Sequence, residues 1–206
     1  MNAQTSYWNT ATAELSAADA TLARLIQHHP HGRLSSRGNA FETLARAIAG
    51  QQISVKAAES IWQRLIATAN PTPQDLANLS VEKIRLCGFS YRKAEYLHDL
   101  ARHFNEGLLD EKQFAQMDDE HIIRTLTDVR GIGRWSAEMF LMFHLLRPDV
   151  LPLADIGLQK AMILHYPHLA NMKLAALLEQ AEMWRPWRSV ATWYLWRSLD
   201  PCEVTY

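Results

Sequence analysis

The sequence is most informative at Leu126-Thr127-Asp128-Val129-Arg130-Gly131-Ile132-Gly133-Arg134-Trp135-Ser136-Ala137. It places a Gly-apolar-Gly turn between two segments with a helical pattern, and the small residues allow the two backbones to pack closely. Because the first N–H groups of a helix have no partner within it, a helix beginning near Arg134 presents amides that can bind a phosphate. Taken alone, the turn leaves a second interpretation open, namely a plain connection in which glycine ends the first helix.

Helical patterns also dominate the rest of the chain. From Phe41 to about Thr68, two helices are predicted to meet at Gly50-Gln51-Gln52-Ile53-Ser54, with Ser54 capping the second. Further helices are predicted after a capping box at Ser16-Ala17-Ala18-Asp19, at Ser80 to Leu86, Ser90 to His103, Asp118 to Leu126, Arg134 to Leu146 and Asp155 to Leu164, and from Pro186 onward. Strand signals are almost absent, so the predicted fold class is all-α.

Size and composition are those of an ordinary globular protein. The 206 residues suit one large domain or two small subdomains, and no segment resembles a long linker, a secretion signal or a membrane span. Two cysteines, Cys87 and Cys202, cannot supply a four-thiolate iron–sulfur or zinc site. We therefore expect a protein of a reducing, intracellular compartment without an iron–sulfur cluster.

The charge balance restricts the possible partners. With 21 Lys and Arg against 22 Asp and Glu, the formal net charge is -1, which argues against capture of a partner by bulk positive charge. A nucleic-acid partner would need backbone amides, which the Gly-apolar-Gly turn offers, and local basic side chains. The candidates for such local contacts are Arg85, Arg92, Lys93, Arg130 and Arg134, each of which is by default part of a solvated charged face.

A second informative segment is Pro152-Leu153-Ala154-Asp155-Ile156-Gly157-Leu158. Asp155 precedes an apolar helical pattern, so the simplest interpretation is a helix N-cap. A carboxylate at a helix start is also stabilised in its charged form by the helix dipole. A capping role and a chemical role for Asp155 are compatible.

Together the turn and the aspartate resemble the helix-hairpin-helix DNA glycosylase superfamily, and within it the 3-methyladenine DNA glycosylase II type. The resemblance runs from about Phe41 to Leu199 and includes Ala49–Ser54, Val129–Ala137, Pro152–Leu158 and Trp184-Arg185-Pro186-Trp187-Arg188-Ser189. It implies two helical subdomains flanking a DNA-binding cleft, in a single glycosylase domain over 1–206. The helix-hairpin-helix motif is expected at about 119–147, without the N-terminal β-rich region of one familiar bacterial version.

The resemblance implies a monofunctional DNA glycosylase that flips out and hydrolyses alkylated purines, 3-methyladenine and 7-methylguanine, and leaves an abasic site. Asp155 is the catalytic candidate; a second acidic residue that often precedes it in the family is replaced by Ala154. Trp135 stands where strand-nicking relatives carry a lysine that forms a Schiff base, so no lyase activity is expected. The main alternative is a non-catalytic helix-hairpin-helix DNA-binding module. A lyase-competent glycosylase for oxidised bases is disfavoured by Trp135.

The resemblance also assigns binding residues. DNA contacts are expected at Gly131, Gly133, Arg134, Gln51, Gln52 and Ile53, base-pocket contacts at Trp135, Trp196 and Met139, and a structural Na⁺ on the carbonyls of Thr127, Val129 and Ile132. Gln52 is the first candidate for a wedge that fills the gap left by the flipped base, whereas a solvated Gln51-Gln52 loop is the alternative. No cofactor is expected for catalysis.

The C-terminal tryptophans leave one question open. A helix beginning at Pro186 would place Trp187, Val190, Ala191, Tyr194 and Leu195 on one buried stripe. Trp196 lies off that stripe, so it either packs in the core or faces a base pocket. The expected partner is double-stranded DNA containing alkylated bases, bound by a monomer away from membranes, in the cytoplasm, with the nucleoid if bacterial or in the nucleus if eukaryotic.

Overall fold

The structure, a computed structural model, describes residues 7–36 and 38–199. These residues form thirteen α-helices, one short 3₁₀ helix at Pro167–Leu169 and no strand, which confirms the all-α prediction. The helices are α1 (Trp8–Ala18), α2 (Ala20–His28), α3 (Ala40–Gly50), α4 (Val55–Thr68), α5 (Pro73–Asn78), α6 (Val81–Leu86), α7 (Tyr91–Asn105), α8 (Glu111–Phe114), α9 (Asp119–Thr127), α10 (Arg134–Phe143), α11 (Ile156–His165), α12 (Leu174–Glu182) and α13 (Arg188–Leu199). Within the described ranges, no helix is long and apolar enough to cross a membrane. Cys202 lies outside these ranges.

Polar side chains begin most of these helices by accepting an otherwise unpaired backbone N–H. The capping residues are Asp19, Asn39, Ser54, Thr72, Ser80, Ser90, Asp110, Asp118 and Asp155. The predicted cap at Ser54 is confirmed, since its hydroxyl accepts the Ala57 N–H at 3.3 Å. The predicted capping box at Ser16 is wrong: Asp19 is the cap of α2, and Ser16 lies inside α1, a helix the sequence pattern did not show.

The chain divides into two compact units, which we name by their position in the sequence. The middle unit comprises residues 38–140, and the terminal unit comprises the described residues up to 36 and from 141. In the middle unit, α7 packs against α3, α5 and α6 and is the central helix of its core. Its apolar face, with Leu97, Leu100 and Ala101, is fully buried.

In the terminal unit, α13 packs against α1, α2 and α11. Every residue from Ser189 to Trp196 is buried, so this helix has no exposed face over two turns. The predicted burial of Val190, Ala191, Tyr194 and Leu195 is confirmed, but Trp193 and Trp196 are buried as well. The helix begins at Arg188 rather than at the predicted Pro186. Trp187 lies before the helix and is only half-buried, and its indole Nε1 donates to Glu14 at 2.6 Å.

The glycine turn joins α9 and α10, the two helices of the predicted helix-hairpin-helix motif. Helix α10 begins at Arg134 as predicted and ends at Phe143 rather than at Leu146. The prediction that α10 is apolar on nearly every side is confirmed over residues 137–144, all of which are buried. Burial on all sides anchors the helix that follows the glycine turn.

Candidate functional site

The hairpin turn depends on one of its two glycines. Gly131 has φ 87°, in the left-handed region that L side chains rarely adopt. A Cβ at this position would lie 2.2 Å from Cδ2 of Tyr96, so the Tyr96 ring occupies the space of any side chain. Gly133 differs, because a Cβ there would have nothing within 4 Å.

The turn presents backbone donors at the start of α10. Among the described residues, the N–H groups of Gly131 and Gly133 donate to no other residue. Both precede Arg134, the first residue of α10, where the helix dipole is positive. Amides at such a position can bind an anion without any change in the net charge of the protein.

Arg134 itself is engaged inside the protein. Its guanidinium forms an ion pair through two hydrogen bonds with Glu120, and its Nε donates to Glu138 at 3.0 Å. The hydrogen bond from Arg134 lowers the pKa of the Glu120 carboxyl below its ordinary value. Contact of Arg134 with DNA stays a prediction, and it would have to compete with two carboxylates.

The turn between α3 and α4 carries the candidate wedge. Gln52 is exposed and has φ 59°, an uncommon conformation for a residue other than glycine, and the adjacent Ile53 is 41% exposed. The Gln51 side chain points elsewhere: its Nε2 donates to the Gly131 carbonyl at 2.8 Å. The structure therefore brings this turn and the hairpin together, as two neighbouring elements of the middle unit.

Two side chains of α7 bind the backbone of these loops, a role that the sequence did not predict for either of them. The Lys93 ammonium donates to the carbonyls of Ala49 and Gln51, at 2.8 and 2.7 Å. The buried Asp99 accepts the Arg130 N–H at 2.9 Å. A charge is visible in a sequence, but these backbone partners lie 31 to 44 residues away and leave no local signal.

Asp155 caps α11 and is half-buried. Its Oδ1 accepts two hydrogen bonds, from the Leu158 N–H at 2.7 Å and from the Trp196 indole Nε1 at 2.8 Å. A Cβ on Gly157 would lie 3.0 Å from the same oxygen, so the glycine leaves room for the carboxylate. Two N–H donors fix the orientation of this carboxylate and stabilise its negative charge.

Trp196 belongs to the same cluster of the terminal unit. It is 7% exposed, and its ring stacks with Phe143 at a centroid distance of 6.2 Å and an interplanar angle of 16°. The structure thus brings Asp155 and Trp196 together. Of the other pocket candidates, Met139 is buried and Trp135 is 36% exposed, and both lie in the middle unit.

The candidate cation ligands are backbone carbonyls at the end of α9. Thr127 is the last residue of that helix, where the dipole is negative, and the Val129 carbonyl accepts the Ile132 N–H at 3.1 Å. A carbonyl oxygen has two lone pairs, so this bond leaves Val129 one further acceptor site. In the described ranges, no cluster of His, Cys, Asp or Glu could hold a metal ion.

Two helices joined by a tight glycine turn, whose Gly131 and Gly133 N–H groups donate to no other described residue, are the arrangement of a helix-hairpin-helix protein. The chain belongs to the HhH-GPD superfamily of base excision DNA repair proteins, whose family profile matches residues 45–188. The resemblance predicted from the sequence is confirmed.

Similar proteins support the same family. DNA-3-methyladenine glycosylase 1 of Schizosaccharomyces pombe is 35% identical, covering 89% of this chain and 83% of that protein. DNA-3-methyladenine glycosylase 2 of Escherichia coli is 33% identical, covering 85% of this chain but 63% of that protein.

Solved structures agree with the fold. A DNA-3-methyladenine glycosidase from Bacillus halodurans superposes with a TM-score of 0.82 at 33% identity, covering 91% of this chain and 88% of that one. The S. pombe 3-methyladenine DNA glycosylase in complex with abasic DNA gives a TM-score of 0.75 at 33% identity, covering 96% of this chain and all of that one (100%).

Proposed function

We propose that this protein is a monofunctional DNA glycosylase that excises alkylated purines, 3-methyladenine and 7-methylguanine, from double-stranded DNA and leaves an abasic site. The names of its relatives support the reaction class. The observation that carries the proposal is the Asp155 carboxylate, held by the Leu158 N–H and the Trp196 indole on one oxygen.

The chemistry follows from the charge that develops on the sugar. Cleavage of an N-glycosidic bond passes through an oxocarbenium-like state, which an ionised carboxylate beside the ring stabilises. Asp155 would serve as this carboxylate and orient the attacking water. Because its hydrogen bonds are already formed, the group need not reorganise as the positive charge appears.

Water is the proposed nucleophile because no amine stands at the lyase position. Trp135 is found there, and an indole cannot form an imine with the sugar. Treatment of the reaction with borohydride is expected to trap no covalent protein–DNA adduct. A trapped adduct would contradict the monofunctional assignment.

The middle unit supplies the proposed DNA contacts. The amides of Gly131 and Gly133 would bind a phosphate, and the exposed Gln52, with Ile53 beside it, would occupy the gap left by the flipped base. The Gln51 amide, which donates to the Gly131 carbonyl, would hold this wedge against the hairpin.

Trp135, Trp196 and Met139 are the proposed base-pocket residues. Indole faces attract a positively charged alkylpurine over a neutral base by about 1–2 kcal/mol per desolvated contact. So small a preference is sufficient, because the departing alkylpurine loses its charge on leaving and is already a good leaving group.

A structural monovalent cation is proposed at the hairpin. The carbonyls of Thr127, Val129 and Ile132 would hold it; such oxygens at a helix C-terminus suit a hard ion of low charge. The bound ion would bridge the hairpin to a phosphate, while bond cleavage would rest on Asp155.

The test is incubation with methylated duplex DNA and chromatographic identification of the released bases. Release of 3-methyladenine and 7-methylguanine is expected, and an Asp155→Asn protein purified in parallel controls for contaminating enzymes. Binding to the DNA without release of any base would favour the alternative, a non-catalytic DNA-binding module.

A further inference from the structure

One side of α7 contacts both loops that the proposed function places on DNA. Lys93, Tyr96 and Asp99 are three residues apart and span about 120° of the helix circumference. Lys93 binds the backbone of the α3–α4 turn, the Tyr96 ring lies against Gly131, and Asp99 accepts the Arg130 N–H. A single helix therefore fixes the position of the turn and of the hairpin.

The Lys93 ammonium donates hydrogen bonds to carbonyls at the end of α3. The Ala49 and Gln51 oxygens lie at the end of that helix, where the dipole is negative, and they flank Gly50. Lys93 is half-buried, and this partial withdrawal of the ammonium from water lowers its pKa below the ordinary value.

Gln52 follows these carbonyls in the sequence, and its backbone conformation has to be held in place by its surroundings. Gln52 has φ 59°, and a left-handed backbone at a residue other than glycine persists only where its surroundings hold it. Gln51 links the same turn to the hairpin through its amide bond to Gly131, at 2.8 Å. The chain of contacts runs from Lys93 through Gln51 to Gly131.

We propose that Lys93 is a positioning residue that holds the α3–α4 turn in register with the hairpin, so that Gln52 enters the base stack while the hairpin binds a phosphate. The inference rests on the proposed function. It differs from the role suggested by charge alone, in which Lys93 would bind a phosphate itself.

Lys93→Met and Lys112→Met separate these two roles. Both remove one lysine from the middle unit, and Lys112 is exposed on α8 and takes part in none of the turn and hairpin contacts described above. If Lys93 positions the turn, Lys93→Met lowers single-turnover excision from duplex DNA at least about tenfold relative to Lys112→Met. Its affinity for undamaged duplex, and the salt dependence of that affinity, stay equal to those of Lys112→Met.

A phosphate contact predicts a different result. Lys93→Met would then weaken binding to undamaged duplex, and the slope of log K against log salt concentration would fall by about 1. That outcome, or excision as fast as in Lys112→Met, would overturn the inference. Single-stranded methylated DNA provides a further check, because the defect of Lys93→Met should shrink where no base has to be unstacked.

Two additions keep the test decisive. Lys93→Arg retains donors for both carbonyls and is expected to restore most of the activity, and Lys93→Gln, which retains a donor without the charge, replaces Lys93→Met if that protein does not fold. The fluorescence of 2-aminopurine beside the lesion reports base flipping independently of bond cleavage. A wild-type protein that flips bases but releases none would refute the proposed function. The positioning role of Lys93 could then still be measured from the 2-aminopurine fluorescence.

Discussion

Replacing Asp155 by asparagine removes the charge and leaves the geometry in place. Asparagine is as good an N-cap as aspartate, and its amide oxygen can accept both the Leu158 N–H and the Trp196 indole N–H. The free energy of unfolding should therefore change by less than about 1 kcal/mol. Asp155→Ala, which removes the acceptor as well, should lose about 0.5–2 kcal/mol of stability.

The effect on the reaction should be much larger. A carboxylate about 4 Å from a full positive charge contributes about 4 kcal/mol at an effective dielectric constant of about 20. Loss of that interaction from the transition state corresponds to about a thousandfold slower reaction. The assay is single-turnover release of 7-methylguanine from duplex DNA, with thermal melting as the control for folding.

A catalytic role for the carboxylate would be contradicted by a folded Asp155→Asn protein that excises within a few-fold of the wild type. In that case the carboxylate would be a helix cap and nothing more. If Asp155→Asn binds abasic-site DNA as the wild type does but does not excise bases, the defect lies in the chemical step.

Three further substitutions test the loops and the tryptophan. Gly131→Ala should lower the free energy of unfolding by about 1–3 kcal/mol in chemical denaturation, because φ is 87° and the new Cβ would lie 2.2 Å from the Tyr96 ring. Gly133→Ala should leave stability within about 0.5 kcal/mol, since nothing lies within 4 Å, and should weaken duplex binding measured by fluorescence anisotropy. A large stability loss here would contradict the open position of this glycine. Trp196→Phe keeps an aromatic ring but removes the hydrogen-bond donor to Asp155. Excision should slow about 10–100-fold, because a hydrogen bond to a charged group contributes about 1.5–3 kcal/mol. Effects of Trp196→Phe and Asp155→Asn that simply add in a double-mutant cycle would argue against action through the carboxylate.

Features written in local sequence were predicted well. The glycine turn, the cap at Ser54 and the helix start at Asp155 each depend on a few adjacent residues, and all three appear in the structure. A cap residue or a left-handed glycine acts within one turn of backbone, so its signal lies in the residues beside it. The all-α class followed from the sum of such signals.

Features set by tertiary partners were not predicted. Helix α12 begins at Leu174 with no side-chain cap, and α13 is buried on every side, so no stripe of polar residues reveals its orientation. The bond between Trp196 and Asp155 joins residues 41 positions apart. The sequence identified both residues as candidates and left open whether Trp196 packs in the core or faces a base pocket. The structure shows that Trp196 is buried and bonded to Asp155, and its role in a base pocket stays a prediction.

The near-neutral charge of the chain no longer conflicts with a DNA partner. Two of the basic side chains that suggested phosphate contacts have partners within the protein: Arg134 binds Glu120 and Glu138, and Lys93 binds two backbone carbonyls. The Gly131 and Gly133 amides add no net charge, yet a helix N-terminus directs such amides at a phosphate. A count of lysine and arginine does not include these donors. Every chain has backbone amides, and only the folded turn orients them towards one ligand. In this protein Lys93 and Arg134 are bonded to groups of the protein itself, and the backbone provides the proposed contact.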